Sequence, residues 1–137
     1  MATYVKYQLG IEKMLESGNA GTDTWQVILS NTAPVVATDT TAASATELGT
    51  AGGYTAGGNN AAITSAVSTT GTYKLTLTDP TAWTASGGGF TFRYVILYNL
   101  SLTQCIGYWD YGSSVVMIAG DTFTADLDGA AGVFTVA

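Results

Sequence analysis

Hydrophobic and polar residues alternate with a period of two over most of the chain. Trp25, Val27 and Leu29 alternate with Thr24, Gln26, Ile28 and Ser30. Tyr73, Leu75 and Leu77 alternate with Thr72, Lys74, Thr76 and Thr78, and Phe123, Ala125 and Leu127 with Thr122, Thr124, Asp126 and Asp128. This is the strand period, with one face in a core and the other in a polar setting, as in an antiparallel sheet. The run Phe90–Asn99 is apolar in both sets: Phe92, Tyr94, Ile96 and Tyr98 point one way, Val95 and Leu97 the other. It predicts a central strand covered on both faces. Cys105–Tyr111 carries Ile106, Tyr108, Trp109 and Tyr111, and the short Leu100–Gln104 link predicts a hairpin between the two runs. Val115–Ile118 and Gly132–Val136 read as two further short strands, with turn signals at Ala119-Gly120-Asp121 and Asp128-Gly129. Seven or eight short strands with Gly-rich turns predict an all-β domain over 1–137, an antiparallel β-sandwich of jelly-roll-like kind.

Two stretches depart from the alternation. Tyr7–Ser17 places Leu9, Ile11, Met14 and Leu15 near helical spacing, stopped by Gly18-Asn19, while Tyr4–Leu9 reads equally well as a strand. Gly10 weighs against the helix by about 1 kcal/mol relative to Ala. Asn31–Ala62 is rich in Thr, Ala and Gly, with Pro34 and the doublets Gly52-Gly53 and Gly57-Gly58. It reads as a long connection with one helical turn at Ser44–Leu48, and connections of this length are usually functional or form arms.

Composition narrows the function. The 137 residues include 4 Lys and Arg against 10 Asp and Glu, for a net charge of −6. An acidic chain without a basic run cannot neutralise many phosphates, so nucleic-acid binding is not expected. Charged residues are only 10% and hydrophobic residues 47%, the opposite of a disordered composition. No stretch reaches the ~18–20 apolar residues of a membrane span, and Met-Ala-Thr-Tyr does not begin a secretion signal. There is no His, which removes the commonest general base and metal ligand, and Cys105 is the only cysteine. No cofactor and no enzymatic activity are expected.

The remaining chemical motifs are weak. Asp126-Leu127-Asp128-Gly129 resembles part of a calcium loop but lacks the later bidentate Glu, and an Asp-Gly turn accounts for it. Gly52-Gly53-Tyr54-Thr55-Ala56-Gly57-Gly58 lacks the Lys-Ser/Thr of a phosphate loop and reads as a permissive surface loop. Ser113 and Ser114 have no base beside them in the sequence and suit a turn. Tyr94, Tyr98, Tyr108, Trp109 and Tyr111 concentrate in one hairpin, where they can pack across strands or form a sugar platform, with packing favoured. Cys105 reads as a small buried hydrophobe.

Sparse charge and Thr-rich strands suit a module that packs against copies of itself or pairs by strand addition. Residues 1–21 and Asn31–Ala62 are the natural arms. The candidate interface residues are accordingly Lys6 and Tyr7 on the first, Pro34 and Tyr54 on the second, and Trp83 in the loop-like Pro80–Gly89 stretch as an exposed anchor, with a loop tucked back over the sandwich the equal alternative there.

The phrases Thr24–Pro34 (TWQVILSNTAP), Gly52–Gly58, Gly71–Pro80, Phe92–Asn99 (FRYVILYN) and Ile106–Gly112 (IGYWDYG) resemble a family of small virion proteins of tailed bacteriophages. The N-terminal part matches more loosely, with Gly10 where a larger residue is expected. The resemblance implies a virion component, first of all a capsid decoration (cement) protein on the capsid exterior. Its partners would be the major capsid protein and copies of itself, as a homotrimer or a dimer. A tail-tip or fibre module binding a host-surface glycan or receptor is the alternative. No catalytic motif is carried over.

Overall fold

A computed structural model describes residues 2–137. In chain order the elements are β1 (Thr3–Lys6), α1 (Gln8–Ser17), β2 (Trp25–Ser30), β3 (Asn59–Ala61), β4 (Ile63–Thr69) and β5 (Thr72–Leu77). There follow β6 (Trp83–Thr84), β7 (Phe90–Asn99), β8 (Gln104–Met117), β9 (Thr122–Phe123) and β10 (Phe134–Val136). The fold is an all-β sandwich with one short helix. A five-stranded sheet, β1-β8-β7-β2-β3, faces a three-stranded sheet, β10-β5-β4, and β6 and β9 form a small ribbon. All pairings are antiparallel. The main core lies between the sheets, built from Trp25, Val27 and Leu29 of β2, Val95 and Leu97 of β7, Ile106 of β8, and Leu75 and Leu77 of β5.

A second apolar cluster forms on the opposite face of the large sheet. Ile28, Ile96, Tyr98 and Cys105 meet Tyr7 and, from the long connection, Ala42 and Ala45. This is why β7 is apolar on both sides. The connection is tied down over that face: the Leu48 amide donates to the Leu29 carbonyl (2.9 Å), the Cys105 amide to the Thr40 carbonyl (2.6 Å), and the buried Ser30 hydroxyl to the Ala45 and Thr46 carbonyls. It turns at Val35–Asp39 and again at Thr41–Glu47, the second slightly earlier than the expected Ser44–Leu48, because the Ala45 amide bonds to the Thr41 carbonyl (3.0 Å) and the Ser44 hydroxyl closes the start. Within the protomer the segment is a cover rather than a free arm.

The N-terminal ambiguity resolves as both readings in succession. β1 pairs with β8, and α1 then runs on beside β8, with the Tyr7 amide bonding to the Ile106 carbonyl (3.0 Å). Gly10 is what allows this approach, since a Cβ there would overlap the Cys105 carbonyl oxygen and lie 3.0 Å from the Ile106 Cα. The propensity penalty at Gly10 is outweighed by the packing that a side chain would prevent.

Three strand expectations are corrected by irregularities. Phe92 joins the main core instead of sharing a face with Tyr94 and Ile96, because the β7–β8 register shifts between Phe92 and Tyr94. Opposite that shift β8 bulges at Tyr111–Ser114, so Val115–Met117 continues β8 and is not a separate strand. In the third, only Thr122–Phe123 pairs as a strand, yet Ala125 and Leu127 remain buried; beyond β9 the Leu127 amide bonds to an Asp79 carboxylate oxygen (2.7 Å) in place of a ladder partner.

Candidate functional site

The five interface candidates separate by burial. Lys6 stays exposed and Pro34 half-buried. Trp83 is only 3% exposed, stacked between Tyr54 (ring centroids 6.2 Å) and Phe123 (5.8 Å), so it is a core residue and not an exposed anchor. Its segment is stapled inward: the Ala85 amide donates to the Asp121 carbonyl (2.8 Å), the Ser86 amide to the Gly52 carbonyl (2.9 Å), and the Gly120 amide to the Ala85 carbonyl (2.9 Å). Tyr7 and Tyr54 are also buried, Tyr7 under the connection and Tyr54 beside Trp83 and Phe90. As contact residues all three are corrected, because the segments expected to reach outward fold back on the sandwich.

Tyr54 has the most fully specified environment. Its hydroxyl donates to Glu47 Oε1 (2.6 Å) and accepts the Leu29 amide (3.1 Å), and the Gly57 amide donates to the same Glu47 oxygen (2.6 Å). Burial raises the phenol pKa, and the hydrogen bond to Glu47 raises it further. The glycine run around Tyr54 is therefore a locking loop and not a permissive surface loop. Gly58 sits at φ +63° with its backbone against Val27, where a Cβ would overlap the Val27 carbonyl oxygen. A carboxylate, rather than a phosphate, takes the Gly57 amide.

The acidic residues mostly hold turns. Asp110 accepts two hydrogen bonds from Arg93 (2.7 and 2.9 Å) and one from the Gly112 amide at the bulge (2.8 Å). Arg93 also lies over the Tyr94 ring, 5.2 Å from its centroid. The Arg93 hydrogen bonds, then the Gly112 amide, hold the Asp110 carboxyl below its usual range. The Ala131 and Ala130 amides do the same for Asp128, in the expected Asp-Gly turn. A general acid needs a shift in the other direction. The Cys105 thiol is pushed up to about 12, chiefly by burial, so it remains a thiol at neutral pH and is a poor nucleophile. Among the described residues no cluster of three or more Cys, Asp or Glu is placed to hold a metal.

Alternation divides the aromatic hairpin between the two faces of its sheet. Tyr98 packs under the connection, and Tyr108 meets Tyr7 and Tyr94 edge-on (5.7 and 6.0 Å). Trp109 lies on the main-core side against Tyr4 (4.8 Å), and Tyr111 meets Phe92 and Phe123 edge-on. These residues form cross-strand packing and no single platform. Trp109 and Tyr111 do border a cleft of about 310 Å³, with Val95, Ala125, Leu127, Asp126 and Asp128 among its other lining residues. That is the lower end of small-ligand sites. The sequence reading missed the cleft because its two sides, β8 and the segment after β9, are separated by turns that give no signal of facing each other.

No family model, curated protein or solved structure matches this chain.

Proposed function

We propose that this chain is a non-enzymatic structural protein of a tailed-bacteriophage virion, a capsid decoration (cement) protein that binds between capsomers on the outer shell. The phrases TWQVILSNTAP, FRYVILYN and IGYWDYG support the virion assignment by resemblance. The structural observation that carries the role is how the fold uses its polar groups. Asp110, Asp121 and Asp128 hold turns, Glu47 anchors Tyr54, and Cys105 is sealed in an apolar cluster. The groups suited to chemistry thus serve as fasteners, as fits a protein that adds buried contact and resists load. The partners are the major capsid protein and copies of this chain, a trimer suiting a threefold position of the shell and a dimer a twofold one. Net negative charge suits the capsid exterior, away from packaged DNA.

The test is to add purified protein to expanded capsids that lack it. Co-sedimentation and a higher rupture temperature are expected; no binding and an unchanged rupture temperature would sink the assignment.

One observation favours the second reading, a tail-tip or fibre module for a host-surface glycan. The cleft beside Trp109 combines an aromatic wall with two carboxylates, which together can contact the apolar face and the hydroxyls of a sugar. On that reading Trp109→Ala abolishes binding on a glycan panel, and a panel without binders counts against it.

A further inference from the structure

We infer that the edge of β4 is a self-association surface, on which a second copy of this chain adds its own β4 antiparallel about a twofold axis. Four strands end the two sheets, and three are poor templates. β3 and β10 have three residues each, and β1 has four and carries Lys6. β4 has seven, Ile-Thr-Ser-Ala-Val-Ser-Thr, with neither charge nor Pro. Its one irregularity lies between Ile63 and Ser65, leaving Ser65–Thr69 in regular register with β5. Among the described residues, no backbone group of Ser65–Ser68 bonds to anything beyond the β5 ladder. Sheet proteins normally blunt such an edge with a charge, a Pro, a cover or a bulge. Here the regular part of the edge has none of these, and Val67 is 54% exposed.

Charge and self-complementarity identify the occupant. From Leu48 through Tyr73 no residue is charged, so neither paired strand brings a carboxylate of its own, although Asp23 and Asp79 border a cleft at the Ile63 end of β4 and each copy carries a net −6. A twofold axis through Ala66 sets Ala66 opposite Ala66 and Ser65 opposite Val67, pairing small or β-branched side chains at the centre of the contact. The two three-stranded sheets become one of six strands. An isologous contact of this kind closes on itself, so it yields a dimer and not a fibre.

The pairing goes beyond the shell-cementing role and is tested on free protein, so either can fail without the other. Sedimentation velocity over a wide concentration range is expected to show a reversible monomer–dimer equilibrium. Amide exchange at Ser65–Ser68 should slow as concentration rises. Val67→Asp and, separately, Ser65→Asp place like charges near the axis. Each should raise the dimer dissociation constant at least tenfold with an unchanged far-ultraviolet circular dichroism spectrum, while Val67→Thr keeps the dimer. A monomer at every concentration, a trimer, or a dimer indifferent to both Asp variants overturns the inference.

Discussion

Replacing Tyr54 with Phe isolates the polar half of the lock around Glu47. The ring and its packing against Trp83 and Phe90 are retained, and one oxygen is lost. That oxygen accepts the Leu29 amide, in a strand residue with no exposure, and donates to Glu47. Orphaning a buried amide costs about 1–3 kcal/mol, and losing a hydrogen bond to a charged group about 1.5–3 kcal/mol. Glu47 is only half-buried and keeps the Gly57 amide, so its share belongs at the low end. The sum is about 3 kcal/mol. At roughly 2.1 cal/mol/K per residue of unfolding entropy, a chain of 137 residues loses about 10 °C in Tm. Urea denaturation followed by Trp fluorescence should show a lower midpoint with an unchanged slope. A Tyr54→Phe, Glu47→Gln double-mutant cycle should show coupling of about 1 kcal/mol or more. A Tm within 2–3 °C of the parent, together with additive single effects, would mean that the hydroxyl does not fasten the loop.

Other perturbations probe different parts of the structure. Gly10→Ala gains about 1 kcal/mol of helix propensity but forces α1 away from Cys105, so calorimetry should find a net loss of about 1–3 kcal/mol; a stabilised variant would show that α1 does not approach β8 this closely. Trp83→Ala should lower stability by about 3–5 kcal/mol, and Trp83→Phe by less, because a stacked ring is kept and the buried indole N–H has no hydrogen-bond partner to lose among the described residues. Normal stability with lost binding would restore Trp83 as a surface anchor. Burial raises the phenol pKa values of Tyr4, Tyr7 and Tyr54 and takes the Cys105 thiol to about 12. A raised pKa favours the protonated form in the fold, so this contribution is complete below the ordinary thiol and phenol values of 9.0 and 10.0 and is lost as pH climbs through the folded values. Denaturation midpoints from pH 7 to 12 should fall above about pH 9, and a flat profile would contradict the burial of these groups. Asp110 and Asp128 are shifted down, so their contributions are present at neutral pH and decline as pH falls below the ordinary carboxyl value of 3.8.

The clear alternations were readable for the set they place in the main core; in β2 the set expected in a polar setting is buried as well, Ile28 and Ser30 lying under the connection. β2 and β5 follow their apolar sets residue by residue, and β7 announced its double burial before anything was known to cover it. Phe92 was misplaced because a register shift reverses the parity of a strand and leaves no mark on the apolar pattern. Gly10 misled for a related reason, since helix propensity is local whereas the clash it avoids involves Cys105, far along the chain. Trp83 and Tyr54 lie in or next to segments rich in Gly, Pro and Thr, which resemble exposed loops, and Tyr7 lies in an N-terminal stretch that reads as an arm. Their burial depends on long-range bonds such as Ser86 to Gly52, Leu29 to Tyr54 and Tyr7 to Ile106, which composition does not encode. Legibility at the cleft and the β4 edge was lower still, because both depend on which strands end up with neighbours.

The pairing of β1 with β8 also orders events during synthesis. Thr3 leaves the ribosome first among the paired residues, but its partner is Asp110, and at about 5–20 residues per second that partner arrives roughly 5–20 s later. Until then α1 has no Cys105–Ile106 backbone to lie against, and Tyr7 lacks the cluster that buries it. The nascent N-terminus must wait in an unfolded state, and its low charge leaves little electrostatic repulsion to keep neighbouring chains on a polysome apart. Slow translation, or truncation before Cys105, should therefore direct this polypeptide towards inclusion bodies.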